Sequence, residues 1–250
     1  MANREHLALL NFGKFKWVEW RKNNPQVELD FVSANLAQIQ LIGENLSGVN
    51  FSLADLRGAK LMRANLSGAN LIGANLSEAN LKGAAIANAN LIGTDLQGAN
   101  LKDTDFNSAK LSRSNLCFAN LMEAHLNNAD LSQANLYETE AMGSYFYGAN
   151  FSKAKLNQAH LLSAYLLGAN LQEVDLTKAD LKWTNLRGAS FTGANLQETK
   201  LTGADIKSAN FVGAENLSVE QIQSARNWED AQYDEDFRES LGLYQGIRTC

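Results

Sequence analysis

Between Phe31 and Phe211 every fifth residue is Leu, Ile or Phe, with a single exception at Ala141. Thirty-seven positions keep this one phase without an insertion or deletion. Neither regular element repeats at five residues: side chains return to one face after about 3.6 residues in a helix and about 2 in a strand. Repetition on this scale sets the architecture before local propensity does. If the chain turns a corner every five residues, four pentapeptides close a square coil of twenty. Stacked coils then pair as parallel strands about 4.8 Å apart.

Side-chain size follows from that geometry. The residue two before each centre is mostly Ala, otherwise mostly Thr or Ser, and the residue just before it is mostly Asn or Asp. The axis is too narrow for two large residues per side. The centre and the small residue two before it therefore point inward, and the other three positions face water. Glycine at many second positions after a centre, such as Gly43, Gly48, Gly58, Gly68 and Gly73, suits tight corners. Asn or Asp before the centre can satisfy local backbone groups. The expected object is an all-β solenoid, a parallel β-helix of about nine coils and roughly 45 Å long.

This A(D/N)Lxx pattern resembles the pentapeptide-repeat family over residues 29–216. The resemblance implies a right-handed quadrilateral β-helix and says little about activity. The flanks WVEWRKNNP and ENLSVEQIQSA, the latter followed by YDEDFRESLGL, are similar to those of cyanobacterial members. Some members resemble acidic duplex-DNA mimics that protect DNA gyrase.

A solenoid exposes its apolar bore and strand edges at both ends and needs covers there. Residues 1–28 are expected to form an N-terminal helical cap, with Leu7, Leu10, Phe15, Trp17, Val18 and Trp20 among charges. One or two short helices should break near Gly13 and stop before Pro25. Residues 217–250 are read as a C-terminal helical segment. Ser218 and Gln221 have the spacing of a capping box opening a helix over about 219–226. Asp234 is expected to cap a second helix over about 235–241, ended by Gly242.

Charge limits the partners. The net charge is −5, with 45% apolar and 20% charged residues. The repeats 31–216 carry 14 Lys and Arg against 16 Asp and Glu, while residues 217–250 carry 3 against 7. A DNA mimic needs a dense negative row matched to phosphate spacing. Here acids and bases interleave, as at Lys102, Asp103 and Asp105, so nucleic acid and gyrase are disfavoured as partners. No stretch approaches the ~18 apolar residues of a membrane span. The start MANREHLALL lacks a secretory pattern, and two cysteines make no disulfide framework. A cytoplasmic location is expected.

No reactive constellation appears. His125 and His160 precede centres and fall on different faces, and His6 lies outside the repeats. No Cys/His cluster has metal-ligand spacing, no phosphate loop or nucleophile elbow is present, and no enzyme activity or cofactor is expected.

The surface is uneven. Residues twenty apart share a row, which aligns His125, Tyr145 and Tyr165, then Tyr147 and Leu167 on the same face, then Met122, Met142 and Leu162 around the adjacent side. Contiguous exposed aromatic and apolar surface marks interfaces; stacked tyrosines also serve as plain ladder supports. Cys117 faces outward with Phe118 beside it and Tyr137 one coil on. A C-terminal tail folded back from Leu217 over this docking patch would bring Cys250 to Cys117 for a disulfide. Ala141 leaves a core volume that the neighbouring centre Phe146 can supply. The expected function is a non-enzymatic scaffold binding a protein partner, itself or another, a homodimer included. A gyrase-regulating DNA mimic and a structural or stress-related role without a stable partner are the alternatives.

Overall fold

The computed structural model describes residues 3–11, 14–24 and 27–243. The repeats form a four-sided parallel β-helix. Parallel bridges join residues twenty apart at every position preceding a centre, from Asp30 with Asn50 through Asn195 with Glu215.

One pentapeptide accounts for all of its backbone donors. The Ala74 N–H closes a turn on Leu71 O at 3.0 Å; the Asn75 N–H reaches Ala54 O one coil back at 2.9 Å. The Leu76 N–H reaches Asp95 O at 2.7 Å and the Glu78 N–H reaches Gln97 O at 2.8 Å, both one coil on. The remaining donor, the Ser77 N–H, bonds Asn75 Oδ1 at 2.9 Å. The recurrent Asn/Asp therefore supplies the acceptor that the ladder lacks at the first corner residue.

Leu76 and Ala74 are buried, as are the centres and small residues throughout the repeats. Most inward hydroxyls are satisfied by carbonyls of the preceding coil: Thr94 Oγ1 donates to Leu71 O at 2.7 Å and Thr139 Oγ1 to Leu116 O at 2.8 Å, whereas Thr184 Oγ1 donates to Leu181 O of its own turn at 2.6 Å. Ser114 Oγ is buried without a partner. Ala141 is buried, and the two following centres, Phe146 and Phe151, meet edge to face at 5.1 Å.

Glycine at the second corner position adopts the left-handed backbone expected of a tight corner, as at Gly43 (φ 70°) and Gly68 (φ 66°), but it is not alone there. Residues such as Glu78 (φ 59°) and Trp183 (φ 59°) adopt the same left-handed backbone, at a cost of ~1–2 kcal/mol each. At some corners glycine also leaves room for the corner side chain of the preceding coil. A Cβ on Gly203 would lie 2.4 Å from Trp183 Cε3, and one on Gly73 2.9 Å from Leu53 Cδ2.

At the N-terminal end, α1 (Arg4–Asn11) and α2 (Lys14–Asn23) bring Leu7, Leu9, Leu10 and Trp20 against the core. His6 Nδ1 accepts from the Asp30 N–H at 3.0 Å, and Arg21 donates to Ser47 O at 2.8 Å. Gly13 and Pro25, and the side chains of Phe15, Trp17 and Val18, lie outside the described residues.

At the other end the capping box is present: the Gln221 N–H bonds Ser218 Oγ and the Ser218 N–H bonds Gln221 Oε1. It opens α3 (Val219–Gln223), shorter than expected because Arg226 joins the ladder beside Asp205. A 3-10 turn at Trp228–Asp230 follows, then a bridge between Gln232 and Asn210, then α4 (Glu235–Ser240) ended by Gly242. Tyr233 stacks on Phe211 at 5.7 Å and touches Phe237, so the Phe191–Phe211 column continues past the last repeat. Asp234 differs from expectation. It makes no cap bond to α4; its carboxylate accepts from the Gly213 N–H at 2.8 Å. That corner donor has no further coil to receive it, so the side chain is drawn there instead.

Candidate functional site

His125 stacks on Tyr145 at 4.7 Å and 3°, and Tyr145 on Tyr165 at 4.8 Å and 2°. Tyr147 (54% exposed) and Leu167 stand on the same side, with Met142 exposed around the corner and Met122 and Leu162 half-buried. Trp183, at 60% exposure, lies one coil beyond Ser163 at that same corner and extends the patch. Its row position was available in the sequence; the packing of its ring against Gly203 was not.

The aromatic row has a local cost. His125 and Tyr145 occupy the place of the Asn/Asp acceptor, so the next corner N–H loses its usual partner. Asparagines one coil back replace it: the Asn127 N–H bonds Asn107 Oδ1 at 2.9 Å and the Tyr147 N–H bonds Asn127 Oδ1 at 3.1 Å.

The same side is poor in charge. Of its 27 outward positions in the rows that start at Asn45, Ser47 and Gly48, only Asp105, Arg187, Asp205 and Lys207 are charged. The preceding side has ten in 27 and the opposite side nine in 27. On those sides the two signs alternate, as in Lys102–Glu123 (3.8 Å) on the preceding side and Lys178–Glu198 (4.0 Å) and Asp55–Arg57 (2.7 Å) on the opposite one; the fourth side, with five charges in 27, holds Lys153–Glu173 (3.5 Å). The hydrogen bond and charge of Arg57 hold the Asp55 carboxyl below its usual range.

On the opposite side Cys117 is half-buried, and burial pushes its thiol up. Phe118, exposed, meets Tyr137 edge to face at 5.5 Å, and Gln158 Nε2 donates to the Tyr137 hydroxyl at 3.2 Å. Cys250 lies outside the described residues, and with it the expected pairing. From Leu217 to Leu243 the chain stays against the end of the core, where Leu217, Val219, Trp228, Phe237 and Leu243 pack.

Among the described residues no group of three or more His, Cys, Asp or Glu is placed to hold a metal ion. No described helix is long and apolar enough to cross a membrane. A shallow groove of about 610 Å³ between Ile42, Met62, Arg63, Lys82, Gly83 and Asp103 brings together no acid–base pair with a nucleophile.

No curated protein sequence matches the chain. Among solved structures it is similar to HetL, a pentapeptide repeat protein involved in heterocyst differentiation regulation from the cyanobacterium Nostoc sp. strain PCC 7120. That match has 33% identity over 86% of this chain and 93% of HetL, with a TM-score of 0.42. QnrB1, a plasmid-mediated fluoroquinolone resistance protein, is 17% identical over 75% of this chain and all of its own, with a TM-score of 0.50, a likeness of fold alone. A pentapeptide repeat protein of the Arabidopsis thaliana thylakoid lumen is 30% identical over 42% of this chain and 66% of its own, with a TM-score of 0.21. A family model of pentapeptide repeats matches overlapping stretches from residue 30 to 136 and from 144 to 215, interrupted around Ala141. With these matches covering well over half of the sequence and the twenty-residue ladder beneath them, the chain belongs to the pentapeptide repeat family.

Proposed function

We propose that this protein is a non-enzymatic scaffold: a right-handed quadrilateral β-helix of about nine coils, closed at both ends by helical segments, that binds a protein partner through its charge-poor side. The observation that carries this reading is the exposed patch of Tyr145, Tyr147, Tyr165 and Leu167 set on the side with the fewest charges. Interface cores are depleted in charge and enriched in aromatic residues and Met. Ladder support alone explains the patch less well, because the aromatic row displaces acceptors that Asn107 and Asn127 must replace. Regulation of DNA gyrase as a duplex-DNA mimic is the second reading, but the interleaved ion pairs oppose a continuous negative row.

The test is a combined Tyr145→Ser, Tyr147→Ser and Tyr165→Ser variant. It should melt within a few degrees of wild type and lose the main species captured by the tagged protein from its source cells, or lose self-association. Retention of both, with an unchanged melting curve, removes the reading.

A further inference from the structure

The charge-poor side is not uniform along its length. Its C-terminal half carries the bulk: Tyr147, Leu167 and Arg187 stand in one row. Its N-terminal half carries small neutral residues, with Ser67, Ala87 and Asn107 in that row. Asn127 is the midpoint, and nine levels from Ser47 to Lys207 lie symmetrically about it.

We propose that this side is an interface with a second copy of the same chain, packed face to face and antiparallel about a two-fold axis at the level of His125 and Asn127. This rests on the interaction reading above and names the occupant. An axis lying in the interface across the rods keeps each row opposite itself and inverts its order. Tyr147 then faces Asn107 of the second copy, Leu167 faces Ala87, and Arg187 faces Ser67. In the adjacent row Tyr165 faces Ala85. Tyr147, Leu167, Arg187 and Tyr165 thus each meet a smaller side chain, each of these contacts occurs twice, and His125 and Asn127, on the axis, meet their own counterparts, as an isologous interface requires.

Charge agrees with this register. Asp105 meets the Tyr145 level, and Asp205 and Lys207 meet Asn45 and Ser47, so no charge opposes another charge. An axis one and a half levels higher would set Asp105 against Asp205. Beyond the repeats, Arg226 bridges to Asp205 and carries the side on to the exposed Glu229 and Asp230. These would reach the other copy's α2, whose last turn holds Arg21 and Lys22 and bonds Ser47 O.

Full overlap gives a contact about 43 Å long and about 12 Å wide from the coil spacing and strand rise. Both copies together bury about 1,000 Å², the lower limit of specific interfaces. A reversible dimer with a dissociation constant in the range of ~1–100 µM is expected.

Sedimentation velocity of the full chain across ~1–300 µM tests this. Wild type should move from monomer to dimer. Ala87→Arg should weaken the dimer at least about tenfold, although Ala87 lies four coils from Leu167 in its own chain. Ala87→Asp and Leu167→Lys should each weaken it, and the double variant should regain at least about tenfold over either, because the two-fold places the new charges opposite one another. Circular dichroism melts unchanged from wild type exclude misfolding. A wild-type monomer at every concentration overturns the proposal, as does a dimer indifferent to Ala87→Arg or a double variant that fails to recover. Ala87→Arg leaves the tyrosine patch intact, so a different protein captured by that patch would still bind. Loss of the second-copy model is thereby separable from loss of the interaction reading.

Discussion

Leu76→Ala, compared with Ser77→Asp, tests the bore directly. Leu76 is fully buried, stacked between Leu56 and Leu96 of the flanking coils. Truncation removes three methylene-sized groups at ~0.8 kcal/mol each, or ~2.4 kcal/mol of transfer free energy. The cavity adds to this, because the surrounding backbone has little freedom to collapse: Asn75 and Leu76 are bonded to Ala54 and Asp95 on either side at 2.9 and 2.7 Å. The expected loss is ~4 kcal/mol, in the upper part of the range for such substitutions. At ~2–4 °C per kcal/mol for a chain of this size, the melting temperature should fall by ~8–16 °C. Leu76→Asp, which leaves an unpaired charge in the dry bore, should prevent that coil from forming. Ser77 is half-buried, its hydroxyl bonded only to Asn75 Oδ1 at 2.8 Å, with Arg57 one coil back in its row. Ser77→Asp should change stability by less than ~0.5 kcal/mol. Thermal circular dichroism reads the difference, and amide exchange should show lost protection for Leu76→Ala centred on the coils touching residue 76. Equal melting temperatures for Leu76→Ala and Ser77→Asp would refute the inward and outward assignment on which the rest depends.

Two further outcomes follow from contacts between successive coils. Gly203→Ala should displace Trp183 and alter its fluorescence, whereas Gly168→Ala, whose Cβ would meet nothing within 4 Å, should cost only the ~1–2 kcal/mol of left-handed strain. An unchanged tryptophan spectrum in Gly203→Ala would contradict the account of glycine as space. Ser114→Ala should be neutral or slightly stabilising, since that buried hydroxyl has no partner, while Thr94→Val should cost ~1 kcal/mol by removing the bond to Leu71 O. Guanidinium midpoints in the reverse order would show that the inward hydroxyls do not stabilise through that carbonyl.

The five-residue period by itself determined which side chains are inside. A bore of this width admits one large and one small residue per side, so size separates Leu76 from Ala74, and position in the period separates both from Ser77. The same period made residues twenty apart neighbours, and the tyrosine and histidine rows were legible for that reason. The capping box at Ser218 and Gln221 was legible because its two bonds span only three residues. Contacts that depend on how a side chain leans along the axis were decided by the tertiary structure. Trp183 covers Gly203, Asn107 and Asn127 serve the corners that His125 and Tyr145 leave unserved, and the Ser114 hydroxyl is left without a partner. So were the ends, where repetition stops. Asp234 turns from α4 to the Gly213 N–H, and Arg226 leaves its helix to bridge Asp205, because the last coil has donors and acceptors with no successor to satisfy them. A periodic sequence specifies what each coil shares with the next; it does not specify what happens where there is no next coil.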